Sequence, residues 1–364
     1  MKTNDWRTKL RIIWAVAMKD ITDAVRNKVI ISSMVSVLII VAMYQWGPQL
    51  IAGSDPPVLA LYDAGESRLV SHLEDSLDID LIEVTSQDAM EKRLGFEQFP
   101  SLGLVLPPDL DQRLGAEENT PIKLSGYVDH WITEKDTLEL QTFFEGMLTE
   151  LTGKPVQITI TRGIYTRTDG GHPFMVSLLL TVILTMMSIT TMTHLMIEEK
   201  ETRTMDALLV SPATPTLVLL GKVIAGLFYC LACTVVVLLL NSVFIVHWDV
   251  IIVACLCGAV FSASLGALMG NLLKTKQQVS MWGFLLLQPL ILPVAFSVIL
   301  ADIAPGAVAE ALRWIPTVAL AEIIRLSFVA QAPLSTFVRQ LILVLASTIA
   351  LMSTGLWLTQ RAEK

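Results

Sequence analysis

The most chemically specific stretch of the chain is Glu198-Glu199-Lys200-Glu201-Thr202-Arg203-Thr204-Met205-Asp206-Ala207-Leu208-Leu209-Val210-Ser211-Pro212. It holds no nucleophile beside a base and no metal-ligand spacing, so the work it can do is mechanical. Its pattern predicts a charged helix that shows Met205, Leu208 and Leu209 on one face and stops at Pro212. Ser211-Pro212 and Pro215 force a turn, and Leu219-Leu220-Gly221-Lys222 then opens a long apolar run. A short helix joined rigidly to apolar helices on both sides transmits a push from a soluble partner, because force on it moves both neighbours.

The remaining reactive residue types form no second constellation in the sequence. His72, His130, His172, His194 and His247 lack metal-ligand spacing. Cys230 and Cys233 form a C-x-x-C pair, but all four cysteines, with Cys255 and Cys257, lie inside apolar runs and read as small packing residues. Asp63 and Glu66 sit in Asp-Ala-Gly-Glu, a turn sequence. No G-x-x-x-x-G-K-[ST] phosphate loop occurs, so the chain has no evident means of binding ATP. Lys222 follows a glycine at the start of an apolar run, and is expected to snorkel toward an interface. Asn241, Asn271 and Gln288 are the notable polar groups within apolar runs. They are candidates to line a pathway, with hydrogen bonding between helices the simpler expectation.

These residues must be held by the elements around them, and composition says what those are. Of 364 residues 53% are hydrophobic and only 16% charged, against about a quarter charged in soluble proteins. The apolar residues sit in runs long enough to cross a bilayer, and a backbone in lipid must be helical to satisfy its own hydrogen bonds. Six spans are expected, over 29–46, 174–197, 216–246, 250–272, 279–301 and 338–358. Pro289 and Pro293 should kink the fifth.

Charge is distributed unevenly. Residues 47–173 carry 22 acidic against 9 basic residues, while the rest of the chain is slightly basic. An acidic domain grafted onto a membrane body follows. Within it Val58–Tyr62, Ile79–Val84, Leu102–Leu106, Ile122–Val128 and Val156–Thr161 are strand candidates. A helix should start near Thr133, where Asp136 completes a capping-box pattern, with Leu140, Phe143, Phe144, Met147, Leu148 and Leu151 on one face.

Ahead of the first span, residues 1–28 predict an amphipathic helix. Trp6, Leu10, Ile13, Trp14, Ala17, Met18, Ile21 and Val25 recur at helical spacing opposite basic residues, a pattern suited to a membrane interface or a partner. This basic region is too long for a signal peptide and no A-x-A-like site follows Trp46, so the first span is expected to be retained. Lys and Arg gather at the N-terminal segment, at 198–215, at Lys274 and Lys276, and in the tail 359–364. Both termini therefore read as cytoplasmic and the acidic domain as outside. Residues 302–337, divided by Pro305, Pro316 and Pro333, read as outer amphipathic or re-entrant helices with Glu310/Arg313 and Glu322/Arg325 paired at i,i+3. The expected fold is an α-helical polytopic membrane protein with six transmembrane helices plus an inserted extracytoplasmic α/β (α+β) domain.

The charged run resembles the segment between the second and third spans of type-two ABC exporter permeases, an E-x-E-x-x-T-x-x-x-L-L-x-x-P pattern followed by Gly-Lys. Glu199, Glu201, Thr204, Leu208, Leu209, Pro212, Gly221 and Lys222 match it, while Arg203 stands where the family usually has Gly. The layout also resembles that family, most closely the sodium- or drug-efflux subgroup with a large domain after the first span. The resemblance implies that Glu198, Glu199, Lys200, Glu201, Arg203, Thr204, Met205, Leu208, Leu209 and Pro212 couple to an ATP-binding subunit, with Trp6, Leu10 and Trp14 of the interface helix as further contacts. ATP and Mg would be held by that partner, with no catalytic, cofactor or metal site in this chain. A second permease chain, identical or related, and a periplasmic membrane-fusion adaptor are further implied partners, beside the lipid bilayer; no nucleic acid is. The implied place is the inner, cytoplasmic membrane. Rival readings are a secondary transporter or channel, a four-span mechanotransmitting ABC subunit, and a membrane sensor with an outer ligand-binding domain.

Overall fold

The structure is a computed structural model describing residues 6–24, 28–52, 57–65, 67–74, 79–97, 100–115, 121–163, 169–202, 214–303, 306–329 and 333–362. The chain divides into two compact units. One comprises Met1–Trp46, Ser177–Ser327 and Gln331–Lys364; the other comprises Gly47–Val176 and Phe328–Ala330.

The second unit is built on five strands, β1 (Val58–Asp63), β2 (Asp80–Glu83), β3 (Ser101–Leu106), β4 (Ile122–Val128) and β5 (Val156–Arg162). They lie where the strand candidates were read, in the order β2-β1-β3-β4-β5. All neighbours are parallel except β3 and β4. Central β3 is buried along nearly its whole length, as a strand covered on both faces must be. β4 alternates buried and exposed positions at its start, as the pleat requires.

Four of the helices in this unit follow strands or turns. They are α3 (Leu69–Glu74), α4 (Gln87–Leu94), α5 (Leu110–Gly115) and α6 (Glu134–Thr152); two helices precede the sheet in the chain, α1 (Trp6–Ala24) and α2 (Lys28–Ala52). Met90 and Leu94 of α4 pack on Ala60 of β1. Thr133 caps α6, its hydroxyl oxygen accepting from the Asp136 amide at 3.2 Å, and Gly153 ends the helix at φ 67°, a conformation that favours glycine. Leu140, Phe144 and Leu148 are the buried face of α6. β5 is an edge strand, and outward backbone groups at Val156 and Ile158 are satisfied from α6. The Ile158 amide donates to Glu145 Oε1 at 2.7 Å, and Gln141 Nε2 donates to the Ile158 carbonyl at 3.0 Å.

The first unit is helical. Beyond α1 and the N-terminal part of α2 it contains α7 (His172–Thr202, from Ser177 onward), α8 (Pro215–Leu240), α9 (Trp248–Leu272), α10 (Lys276–Ile303), α11 (Gly306–Leu312), α12 (Pro316–Leu326) and α13 (Leu334–Ala362). Among the described residues five helical stretches are long and apolar enough to cross a membrane: His172–Ile197, Leu217–Leu240, Trp248–Leu272, Gln277–Leu300 and Leu334–Leu358. At 24 to 26 residues each extends roughly 36–39 Å, beyond the roughly 30 Å of a bilayer's hydrocarbon. The first expected span falls in α2, where the described apolar stretch is the shorter Met34–Tyr44.

Helix α9 is central. Ala254, Gly258, Ser262, Gly266 and Gly270 repeat every fourth residue and are all buried, a small-residue face that lets neighbouring backbones approach. A Cβ placed on Gly258 would lie 2.8 Å from the Leu320 side chain of α12. Several polar side chains in these helices find acceptors on neighbouring helices. Thr193 donates to the Gly266 carbonyl at 3.3 Å and Cys230 Sγ to the Leu184 carbonyl at 3.5 Å, both across helices. Thr317 donates to the Leu290 carbonyl at 2.6 Å, one residue past Pro289, which lies inside the continuous helix α10. On α13, Val338, Ile342, Leu345, Ile349 and Trp357 point outward along one apolar face, as lipid exposure demands.

The two short helices within 302–337 differ. None of the described residues of α11 is buried, whereas α12 is buried from Thr317 to Leu326. Glu322 of α12 accepts from the Gln340 amide of α13, with both residues buried. On α11, Glu310 accepts from Arg313 and lies 3.7 Å from Arg339 of α13.

Candidate functional site

The helices that flank the charged run converge on one lysine. Helix α1 lies along the first half of α8, where Val16 packs on Val218 with Ile12 alongside. The approach is close because Gly221 has no side chain. A Cβ there would stand 2.8 Å from Val16 Cβ and 2.9 Å from the Ile13 carbonyl oxygen. One residue on, the Lys222 side chain turns into the protein. Its Nζ lies 3.3 Å from Asp20 Oδ2 of α1 and donates to the Leu195 carbonyl of α7 at 3.0 Å. About two turns further along α8, the Tyr229 hydroxyl donates to the Ile21 carbonyl.

This corrects the expectation that Lys222 snorkels to an interface. Its side chain is 3% exposed and that of Asp20 4%. An ammonium and a carboxylate this buried are tolerable only as a pair with further hydrogen bonds, and the Leu195 carbonyl supplies one. Lys222 therefore joins α1, α7 and α8, with Leu195 only a few residues before the charged run and Lys222 a few after it.

The apolar face read for the N-terminal helix is divided in two by this packing. Val16, Ala17 and Asp20 are buried, and Ile12, Ile13 and Ile21 partly so. Trp6, Leu10, Trp14 and Met18 remain exposed in an i,i+4 stripe, with the tryptophans at 63% and 61%. Arg7 sits over the Trp6 ring, 5.6 Å from its centre. The stripe is an exposed apolar surface edged with positive charge.

Of the charged run itself, Glu198, Glu199, Lys200 and Glu201 lie in the last turns of α7, and nothing of their side chains is described. Arg203, Thr204, Met205, Leu208, Leu209 and Pro212 lie outside the described residues. The three intramembrane amides do not form one group. Asn241 caps the end of α8, its Nδ2 donating to the Val237 carbonyl at 2.9 Å. Asn271 lies at the far end of α9 and donates to the Gly355 carbonyl of α13 at 3.3 Å. Two such long helices joined by a short turn put these residues at opposite ends of the bundle. Gln288 is half-buried beside Pro289 in α10. Asp20 was missed by sequence reasoning, although an acid on the apolar side of an amphipathic helix is a signal in itself.

Comparison with protein families matches residues 28–357 to the ABC-2 family transporter protein model. The chain belongs to the ABC-2 transporter family. No curated protein and no solved structure matches it significantly. As a member with several apolar helices, the chain is a multi-pass membrane protein in a permease role, and membership generally implies an ATP-binding subunit as partner. Chains of this family are typically not themselves catalytic. The matched region starts where α2 starts, so α1 and its Asp20 lie ahead of it.

Proposed function

We propose that this ABC-2 chain is the permease of an ATP-driven exporter, moving a substrate outward when a separate ATPase subunit drives it. The observation that supports this most is the buried junction of α1, α7 and α8 around Lys222, which brackets the charged run 198–215. Rigid attachment on both sides is what a force-transmitting element requires. In this reading Glu198, Glu199, Lys200, Glu201, Arg203, Thr204, Met205, Leu208, Leu209 and Pro212 dock on the ATPase, with Leu208 and Leu209 as the apolar anchor. The exposed Trp6, Leu10 and Trp14 form a second contact, with the bilayer interface or with the same partner.

The rest of the mechanism belongs to the same proposal. Two permease chains, identical or paired with a relative, enclose the pathway, and closure of two ATPase subunits on ATP and Mg rocks it open outward. Six spans, counting α2 as the first, put both termini in the cytoplasm and the sheet domain outside the inner membrane. There it gates release or docks a periplasmic adaptor. The charge bias of the loops supports this orientation.

Purifying the tagged chain from its host in mild detergent and identifying what stays bound by mass spectrometry tests the reading. An ATPase subunit should be recovered. Leu208→Glu with Leu209→Glu should reduce that recovery about tenfold or more, since losing a docking hot spot costs more than about 1.4 kcal/mol. A preparation free of ATPase even after crosslinking would overturn the proposal.

A further inference from the structure

The sheet domain holds a second group of titratable side chains, far in sequence from the charged run. Strand β4 ends at Val128, and the next two residues, Asp129 and His130, are 6% and 7% exposed. His130 Nδ1 lies 2.6 Å from Asp129 Oδ1 and 3.7 Å from Asp169 Oδ2, and the Asp169 side chain is itself largely covered. One ligating atom from each of the three residues falls within 4.8 Å of the other two.

Acidic residues are common in this domain, and proximity alone would mean little. The distinguishing observation is Asp129 Oδ2. It is buried, and among the described residues it meets no hydrogen-bond donor. It belongs to the carboxylate that already contacts His130 through its other oxygen, so one half of a buried charged group beside the cluster is left unfilled. Buried carboxylates are ordinarily hydrogen-bonded, paired or bound to a metal. The cluster itself sets two carboxylates against one imidazole.

The surroundings hold these groups in place. The Gly163 amide donates to the Val128 carbonyl at 2.7 Å, fixing the turn that presents Asp129. A Cβ on Gly95 would stand 2.8 Å from Asp169 Oδ1, so backbone lies directly against that carboxylate. Trp131, next to His130, stacks on His172 with ring centres 5.3 Å apart.

We propose that Asp129, His130 and Asp169 bind a first-row divalent cation, with Zn²⁺ the best fit to one imidazole and two carboxylates. Zinc bonds of roughly 2.0–2.2 Å to nitrogen and oxygen set tetrahedral ligand atoms about 3.4 Å apart. The observed 2.6 Å and 3.7 Å bracket that separation, so small side-chain rotations complete three ligands and leave a fourth position to water. Mg²⁺ and Ca²⁺ fit less well, because they prefer oxygen ligands in larger number. The ion would tie the end of β4 to Asp169, which stands three residues before α7 begins.

The test uses the full chain in detergent, stripped with EDTA and reloaded with ZnCl₂ or CoCl₂, then desalted. One Zn²⁺ per chain should be retained by elemental analysis, Co²⁺ should give the visible absorption of a four-coordinate site, and Zn²⁺ should raise the thermal midpoint. Asp129→Asn, His130→Gln and Asp169→Asn should each lose the retained ion and the Co²⁺ band, with the circular dichroism spectrum unchanged. Wild-type chain that retains no Zn²⁺ overturns the proposal however the variants fold. Retention of Zn²⁺ by well-folded variants at the wild-type level overturns it equally, because the ion then sits elsewhere.

Discussion

Asp20 and Lys222 are 202 residues apart in the chain, yet they meet at 3.3 Å with both side chains almost wholly buried. An exposed pair at this distance would contribute little, about 0–1 kcal/mol. A buried pair behaves differently when one partner is removed, because the other is left as an uncompensated charge. Lys222→Met should therefore destabilise the chain by about 3–5 kcal/mol. Asp20→Asn combined with Lys222→Met should recover a large part of that loss. Thermal unfolding of the detergent-solubilised single and double variants measures both, and a fully additive double variant would show that the residues do not act as a pair.

Gly221 permits the contact that brings α1 to Lys222. In Gly221→Val the new side chain meets Val16 and the Ile13 carbonyl oxygen, and overpacking of this kind costs about 1–3 kcal/mol. Gly355, which has open space where a Cβ would stand, is the control. Gly355→Ala should be neutral or stabilising by up to about 1 kcal/mol, from helix propensity alone. Comparing the two unfolding midpoints separates close packing from propensity.

The exposed stripe on α1 should matter for association and not for folding. Trp6→Ala with Trp14→Ala removes side chains that make little of the α1–α8 contact, so stability should change by no more than about 0.5 kcal/mol. Binding of the full chain's N-terminal helix to its second surface should fall. Fluorescence quenching of these tryptophans by spin-labelled lipid, with and without the ATPase, reports which surface that is.

In the sheet domain, Thr133→Ala removes the cap of α6 and should cost about 1 kcal/mol. Hydrogen exchange should show the loss first at the amides of the first turn, Asp136 among them. Glu145→Ala should expose the Ile158 amide at the edge of β5 and raise its exchange rate, with little change at Leu124 in the neighbouring strand.

Much of this architecture was legible in the sequence, for reasons that are local. The five strands show as β-branched and apolar runs between turn residues, and α6 shows through its capping box and its periodic apolar face. Long helices show because lipid leaves a chain no other way to satisfy its backbone. The charged run stood out for the same reason: Pro212 and the apolar face of Leu208 and Leu209 are a pattern within a few residues.

What the sequence could not decide was which long-range neighbour each polar side chain would meet. Lys222 at the start of a helix is equally consistent with an interface lysine, and only the packing of α1 against Gly221 turns it inward to Asp20. Glu322 and Arg325 read as an i,i+3 pair on an amphipathic helix, yet α12 is enclosed by α9, α10 and α13, and Glu322 meets Gln340 of α13. Asp129, His130 and Asp169 have no ligand spacing along the chain, because two of them follow β4 and the third comes after β5. Periodicity reports which residues share a face of one element. Burial and charge pairing depend on what covers that face, which tertiary structure alone decides.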